Sequence, residues 1–210
     1  MVGPVQTVVD RLRHFAVSDP FAQVIKLEQT ATRVLQVQPW HVPGVLQLPA
    51  YAAATLSIIT GRPQTSPEVE ERLRLRMARA EAFRQRLESA EPPALSVVID
   101  EAALRQPSVA VAVLHEQLDA LLEIMRRFPT VQVAAQSLSA AGYTDARAVE
   151  VFERGDGAIE AVFFESARSN ELSTDAETGE KYRDLVTSLV SGAIAEEKPS
   201  ARIERIRDSL

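Results

Sequence analysis

Cysteine is absent from the chain, which excludes disulfides, thiolate metal sites and a cysteine nucleophile together. Histidine is scarce. His14, His41 and His115 are scattered and none falls in an HExxH arrangement, so no metal ligand set and no cofactor are expected. No apolar run reaches the roughly 18 residues of a membrane span. Met1-Val2-Gly3-Pro4 lacks the basic and apolar regions of a secretory signal. A cytoplasmic protein with no membrane attachment is therefore expected. Positive charge is also short: 23 Lys and Arg against 29 Asp and Glu give a net charge of −6, the wrong sign for a surface that must displace counterions from phosphate. Nucleic-acid binding through this chain alone is not expected. Glycine-rich phosphate loops are missing, and Ser137-Leu138-Ser139 has no nucleophile-elbow glycines. What remains is an ordinary globular composition, 46% hydrophobic and 25% charged over 210 residues, long enough for one sizeable core.

Hydrophobic spacing divides the chain near Pro92-Pro93. Before it, Val5, Val8, Val9, Leu12 and Phe15 predict a first helix. Ser18-Asp19-Pro20 restarts the chain into a second, whose inward stripe is Phe21, Val24, Ile25 and Thr32. Leu35-Gln36-Val37-Gln38 alternates like a short edge strand closed by Pro39. Pro43-Gly44 turns it into a helix over about 49–60, which Gly61 terminates. Ser66-Pro67-Glu68 opens the longest helix, to about Ser89. After Pro93, Leu95–Ile99 and Val131–Gln136 read as strands flanking a helix over 109–127, a parallel βαβ unit. Val149–Glu153 and Ile159–Phe164 flank Arg154-Gly155-Asp156-Gly157, a tight hairpin. An amphipathic helix over about 176–195 and a short Ser200-capped helix close the chain. The expected class is α+β: a helical N-terminal half (1–91) packed on a small mixed β-sheet (94–210), a βαβ unit plus a hairpin with a C-terminal helix, in one compact unit.

Glu28 lies on the apolar stripe of its helix, and an isolated buried charge costs several kcal/mol unless paired or protonated. Arg72, Arg76, Arg79 and Arg86 fall within an arc of about 80° on the long helix. They are the natural source of a bidentate partner, which makes the pair a structural tie or part of a ligand site. The arginines can hold an anion or an acidic partner, or form a solvated face with the interleaved Glu68, Glu70, Glu71, Glu81 and Glu88. Asp100 and Glu101 stand at the carboxyl end of the first βαβ strand, where open sheets place ligands; their plain alternative is to cap the Ala102-Ala103-Leu104 turn. Trp40, His41 and Tyr51 can line an aromatic cleft or serve as packing anchors.

Three stretches carry a resemblance: Val42-Pro43-Gly44-Val45-Leu46-Gln47 through Tyr51, Val97-Val98-Ile99-Asp100-Glu101-Ala102-Ala103-Leu104, and Gln117-Leu118 with Leu121. From about Glu28 to the C-terminus the chain resembles the domain of unknown function found C-terminal to the helix-turn-helix in actinobacterial Xre-type transcriptional regulators. The family pattern often has a glutamine after the later arginine, where this chain has Ala80. The helix-turn-helix itself is not here. The resemblance implies a regulatory sensor or interaction domain that binds a small companion protein or a small-molecule effector. Two other readings stand beside it. One is a copy recruited as an enzyme for acid-base chemistry on a small molecule in specialised-metabolite biosynthesis. The other is a homodimer through the Tyr182–Ile194 helix and the first helix.

Overall fold

The computed structural model describes residues 19–145, 147–166 and 169–210. The first helix expected on Val5, Val8, Val9, Leu12 and Phe15 lies outside them. The described chain is α+β. Its frame is one six-stranded mixed sheet in the order β3-β2-β1-β4-β5-β6, built from β1 (Arg33–Gln38), β2 (Ala94–Asp100), β3 (Val131–Gln136), β4 (Ala148–Glu153), β5 (Ile159–Glu165) and β6 (Asn170–Ser173). β1, β2 and β3 run parallel, whereas β4, β5 and β6 add on antiparallel. The βαβ unit and the hairpin both belong to this sheet. Asp156 supports the hairpin by accepting a hydrogen bond from the Ala158 N–H at 3.0 Å, and Gly157 takes the positive φ of 78° that the turn needs.

One strand is misplaced by sequence reasoning. β1 is central, not an edge strand: Gln36 stands opposite Val97 on β2 and Glu150 on β4. Its alternating glutamines mimic a half-wetted strand, but both of its faces are covered.

Helices cover the two faces unequally. On the front, Val34, Leu95, Val97, Ile99, Val133, Phe152 and Phe163 pack under most of the helices. These are α1 (Asp19–Thr30), α2 (Pro49–Thr60), α3 (Pro67–Leu87), the single turn α4 (Glu101–Leu104), α5 (Val111–Arg127) and α7 (Pro199–Asp208). On the back, Leu35, Val37, Val98, Val149, Val151, Val162 and Phe164 meet Val186, Leu189 and Val190 of the one long helix α6 (Ala176–Glu196). β1 thus comes from the helical half and sits in the middle of the sheet.

Helix ends follow local chemistry. Ser66 accepts a hydrogen bond from the Val69 N–H at 3.4 Å to start α3, and Gly61 ends α2 in the left-handed region at φ 64°. α7 departs from expectation. It begins with Pro199 at its first position after Lys198, without a side-chain cap, because proline itself removes one orphan N–H; Ser200 lies inside the helix. Among the described residues, no helix is long and apolar enough to cross a membrane.

α6 crosses the sheet at a buried glycine. A Cβ on Gly179 would stand 2.9 Å from Ile159 Cγ2 and 3.3 Å from Ile159 Cβ. Alanine normally gains about 1 kcal/mol over glycine in a helix, but overpacking against the root of a β-branched residue costs about 1–3 kcal/mol. Gly179→Ala should therefore lower the melting temperature; an unchanged or raised value in thermal denaturation would contradict this packing.

Candidate functional site

α1 is tied to α3 by charge. Val24, Ile25 and Leu27 bury the inner side of α1, and Glu28 goes inward with them. There Arg79 Nε donates to Glu28 Oε2 at 2.8 Å and Arg79 Nη2 to Glu28 Oε1 at 2.5 Å. The side chains are 7% and 9% exposed, so both charges have lost their water. The bidentate fork is what makes such burial tolerable. Phe21 lies with its ring centroid 4.8 Å from the Arg79 guanidinium carbon. Burial alone would lower the Arg79 pKa, but the charge and hydrogen bonds of Glu28, with Glu150 and Glu165 behind it, raise it instead. Two helical turns further, Arg86 donates to the backbone carbonyls of Glu28 at 2.6 Å and Ala31 at 2.7 Å. These carbonyls at the end of α1 have few helical partners of their own, and they carry the negative end of its dipole.

The Val42–Tyr51 stretch forms a rigid shelf against the same arginines. Gln47 Nε2 donates to the Val42 carbonyl at 2.7 Å, and the Val42 N–H donates to the Tyr51 hydroxyl at 3.3 Å. Gln117 of α5 closes the shelf: its amide donates to the Leu46 carbonyl at 2.9 Å and accepts from the Leu48 N–H at 2.8 Å. Two of the three sequence stretches therefore interlock. Arg76 Nη1 reaches down to Gln47 Oε1 at 3.0 Å and Thr55 Oγ1 at 3.4 Å, while both Arg76 and Arg79 lie against Gly44. Burial, then repulsion from Arg79, brings the Arg76 pKa down to about 10.

Facing the arginines is the polar side of the sheet. Gln36 and Gln38 of β1 and Glu150 of β4 are buried, and Gln36 is the cross-strand partner of Glu150. Burial pushes the Glu150 carboxyl up to about 8; Glu28 and Glu165 add to the rise, and Arg79 and a Gln36 hydrogen bond oppose it. His41 goes the other way, down to about 4, through burial and the adjacent Arg76 charge. At neutral pH the cluster therefore holds a neutral imidazole and a largely protonated carboxyl beside two guanidiniums. Three buried atoms there have no hydrogen-bond partner: Gln36 Oε1, His41 Nδ1 and Glu150 Oε2.

The predicted residues separate into two groups. Glu28, His41, Arg76 and Arg79 come together in the cluster. Tyr51 is fully buried behind it as part of the shelf, and Trp40 sits on the surface beside His41 at 36% exposure. Arg72 pairs with Glu68 at 3.1 Å one turn before Arg76. Asp100 and Glu101 do not join them. Asp100 accepts from the N–H groups of Ala102 at 2.8 Å and Leu138 at 3.0 Å, and Glu101 pairs with Arg105 at 2.9 Å. Gln36, Gln38, Glu150 and Glu165 were missed, because polar residues at alternate strand positions read as solvent-facing. Among the described residues there is no group of three or more His, Asp or Glu able to hold a metal ion.

Fold and cluster together define an α+β domain with a cluster of buried polar side chains between an arginine-bearing helix and the two central strands of the sheet. Residues 21–205 match the family model described as "Domain of unknown function (DUF5753)", and the chain belongs to that family. No curated protein and no solved structure matches it.

Two measurements test the cluster. Glu28→Gln leaves a buried guanidinium without its counter-charge and should cost about 3–5 kcal/mol in denaturant unfolding; an unaltered midpoint would contradict the tie. Glu150 has a folded pKa above its ordinary 4.5, so its contribution to stability is complete below that value and is lost as pH rises through about 8. The difference in melting temperature between Glu150→Gln and the native protein should therefore move in favour of the variant across that window. A difference independent of pH would contradict the buried, protonated carboxyl.

Proposed function

We propose that this chain is the sensing half of an Xre-type regulator system: a cytoplasmic effector-binding domain that takes a small polar molecule into the recess under α3, with no duplex binding of its own. The observation that carries the reading is the set of unpartnered atoms Gln36 Oε1, His41 Nδ1 and Glu150 Oε2. A buried polar group left unsatisfied costs about 1–3 kcal/mol. Three around one recess are a cost that a ligand's hydrogen bonds remove. The recess lies between α1, α3 and the sheet, so a ligand there bears on the Glu28–Arg79 tie and on how α1 sits. That coupling gives a route from ligand to a second protein. A separate groove of about 570 Å³ between the shelf, α3 and α5, floored by Leu46, Leu48, Met77, Phe83, Ile124 and Phe128, supports a companion protein as that second component.

An enzymatic reading is favoured by one feature, Glu150, whose carboxyl near neutrality suits general acid-base work. The two readings separate on the fate of the bound compound. Native mass spectrometry of the protein purified from its own cytoplasm should show a small polar molecule that is released unchanged and that raises the melting temperature on re-addition. The shift should shrink in Gln36→Leu and Glu150→Gln. A shift of equal size in both variants would overturn the recess as the site, and turnover of the compound would favour the enzyme.

A further inference from the structure

We infer that the ligand of this recess is a small amino-carboxylate, its carboxylate held by Arg76 and its protonated amine by Gln36 Oε1 and Glu150. The inference rests on the effector reading above and names the chemistry of the effector.

Arg76 differs from the arginines around it. Arg79 is engaged by Glu28 through two hydrogen bonds, Arg72 by Glu68, and Arg86 by two backbone carbonyls. Among the described residues, Arg76 touches only neutral acceptors, Gln47 and Thr55, and no carboxylate lies within ion-pair distance of it. The charge of Glu165 reaches it without contact, while Arg79 and Arg72 repel it. A guanidinium that is half-buried and held by neutral acceptors presents its remaining N–H groups to an incoming oxyanion, and a carboxylate matches them two at a time. His41, neutral and close enough to feel the Arg76 charge, adds a hydrogen-bonding nitrogen to the same side.

The sheet side has the opposite character. Gln36 is 3% exposed and Glu150 7% exposed, and their unpartnered atoms are both carboxyl or amide oxygens. Two neighbouring oxygens on adjacent strands call for a donor with several N–H groups, which an ammonium supplies. Its charge favours the ionised Glu150 carboxylate and so offsets the effect of Glu28 and Glu165 upon it. Arg79 is already saturated by Glu28; Arg76 and Arg79 lie together against Gly44, and Arg79 lies over Phe21, whose ring centroid is 6.3 Å from that of Phe163, the cross-strand neighbour of Glu150, which brings the two ends to one part of the front face. A simple anion would leave the oxygens unpaired, and a simple amine would leave the Arg76 guanidinium without a counter-charge. Only a ligand with both groups satisfies the recess.

The test uses the whole protein in thermal denaturation with the standard L-amino acids, β-alanine and γ-aminobutyrate, each at about 10 mM so that millimolar binders register. At least one should raise the melting temperature. Its carboxamide and its N-acetyl derivative should each lose about ten-fold or more in affinity by titration calorimetry, and Arg76→Gln should lose as much for the parent compound. The derivatives act on the native protein, so the result stands even where the variant folds poorly. A panel with no shift, or a hit whose amide or N-acetyl form binds equally well, overturns the inference. If a compound recovered from the native protein depends on Gln36 and Glu150 but carries only one of the two charges, the amino-carboxylate falls and the sensing site survives. Binding indifferent to all three residues removes both.

Discussion

The buried Glu28–Arg79 pair is the constraint on which the rest of the recess depends. Neither charge can leave without stranding the other in an environment poor in water, so α1 and α3 are held in one relative position. That position sets the height of the helical layer over β1 and β4. It also fixes the field in which Glu150 sits, since Glu28 raises the Glu150 pKa and Arg79 opposes the rise. Charges from α1, α3 and β4 therefore act on one another at one place. Arg86, gripping the carbonyls at the end of α1, adds a second tie of a different kind, one that reads backbone and not charge.

Packing and polarity divide the labour across the sheet. The back face is apolar under α6 and needs no polar repair. On the front face the apolar surface under α5 and α7 gives way to Gln36, Gln38 and Glu150, and there the helical layer supplies arginines in place of leucines. The Val42–Tyr51 shelf keeps those arginines in place: Gln47 spends its amide on Val42 and its carbonyl oxygen on Arg76, while Gln117 fastens the shelf to α5. A loop whose own backbone is satisfied this way is a firm support for a positioned guanidinium.

Much of the architecture was legible in the residues. The βαβ unit and the hairpin followed from strand and helix periods, and Glu28 stood out because a carboxylate on an apolar stripe requires a partner. The polar row on the sheet was not legible. A period of two tells which residues share a face, not whether that face meets water or a buried charge, so Gln36 and Gln38 suggested an edge strand and Glu150 suggested nothing. Asp100 drew attention through its place at a strand end, yet the nearest backbone N–H groups, those of Ala102 and Leu138, occupy its carboxylate. Sequence distance hid the decisive neighbours: Glu28, Arg79 and Glu150 lie on three elements far apart along the chain.

The central claim is that Glu150 and the Glu28–Arg79 pair share one buried, interacting site. Its most direct test is a carbon-detected NMR titration of the Glu150 side-chain carboxyl in the native protein. A midpoint pushed up to about 8 is expected, well above the ordinary carboxylate range. A midpoint at the ordinary 4.5 would contradict it, because a carboxyl that ionises like one in water is neither buried nor coupled to the pair.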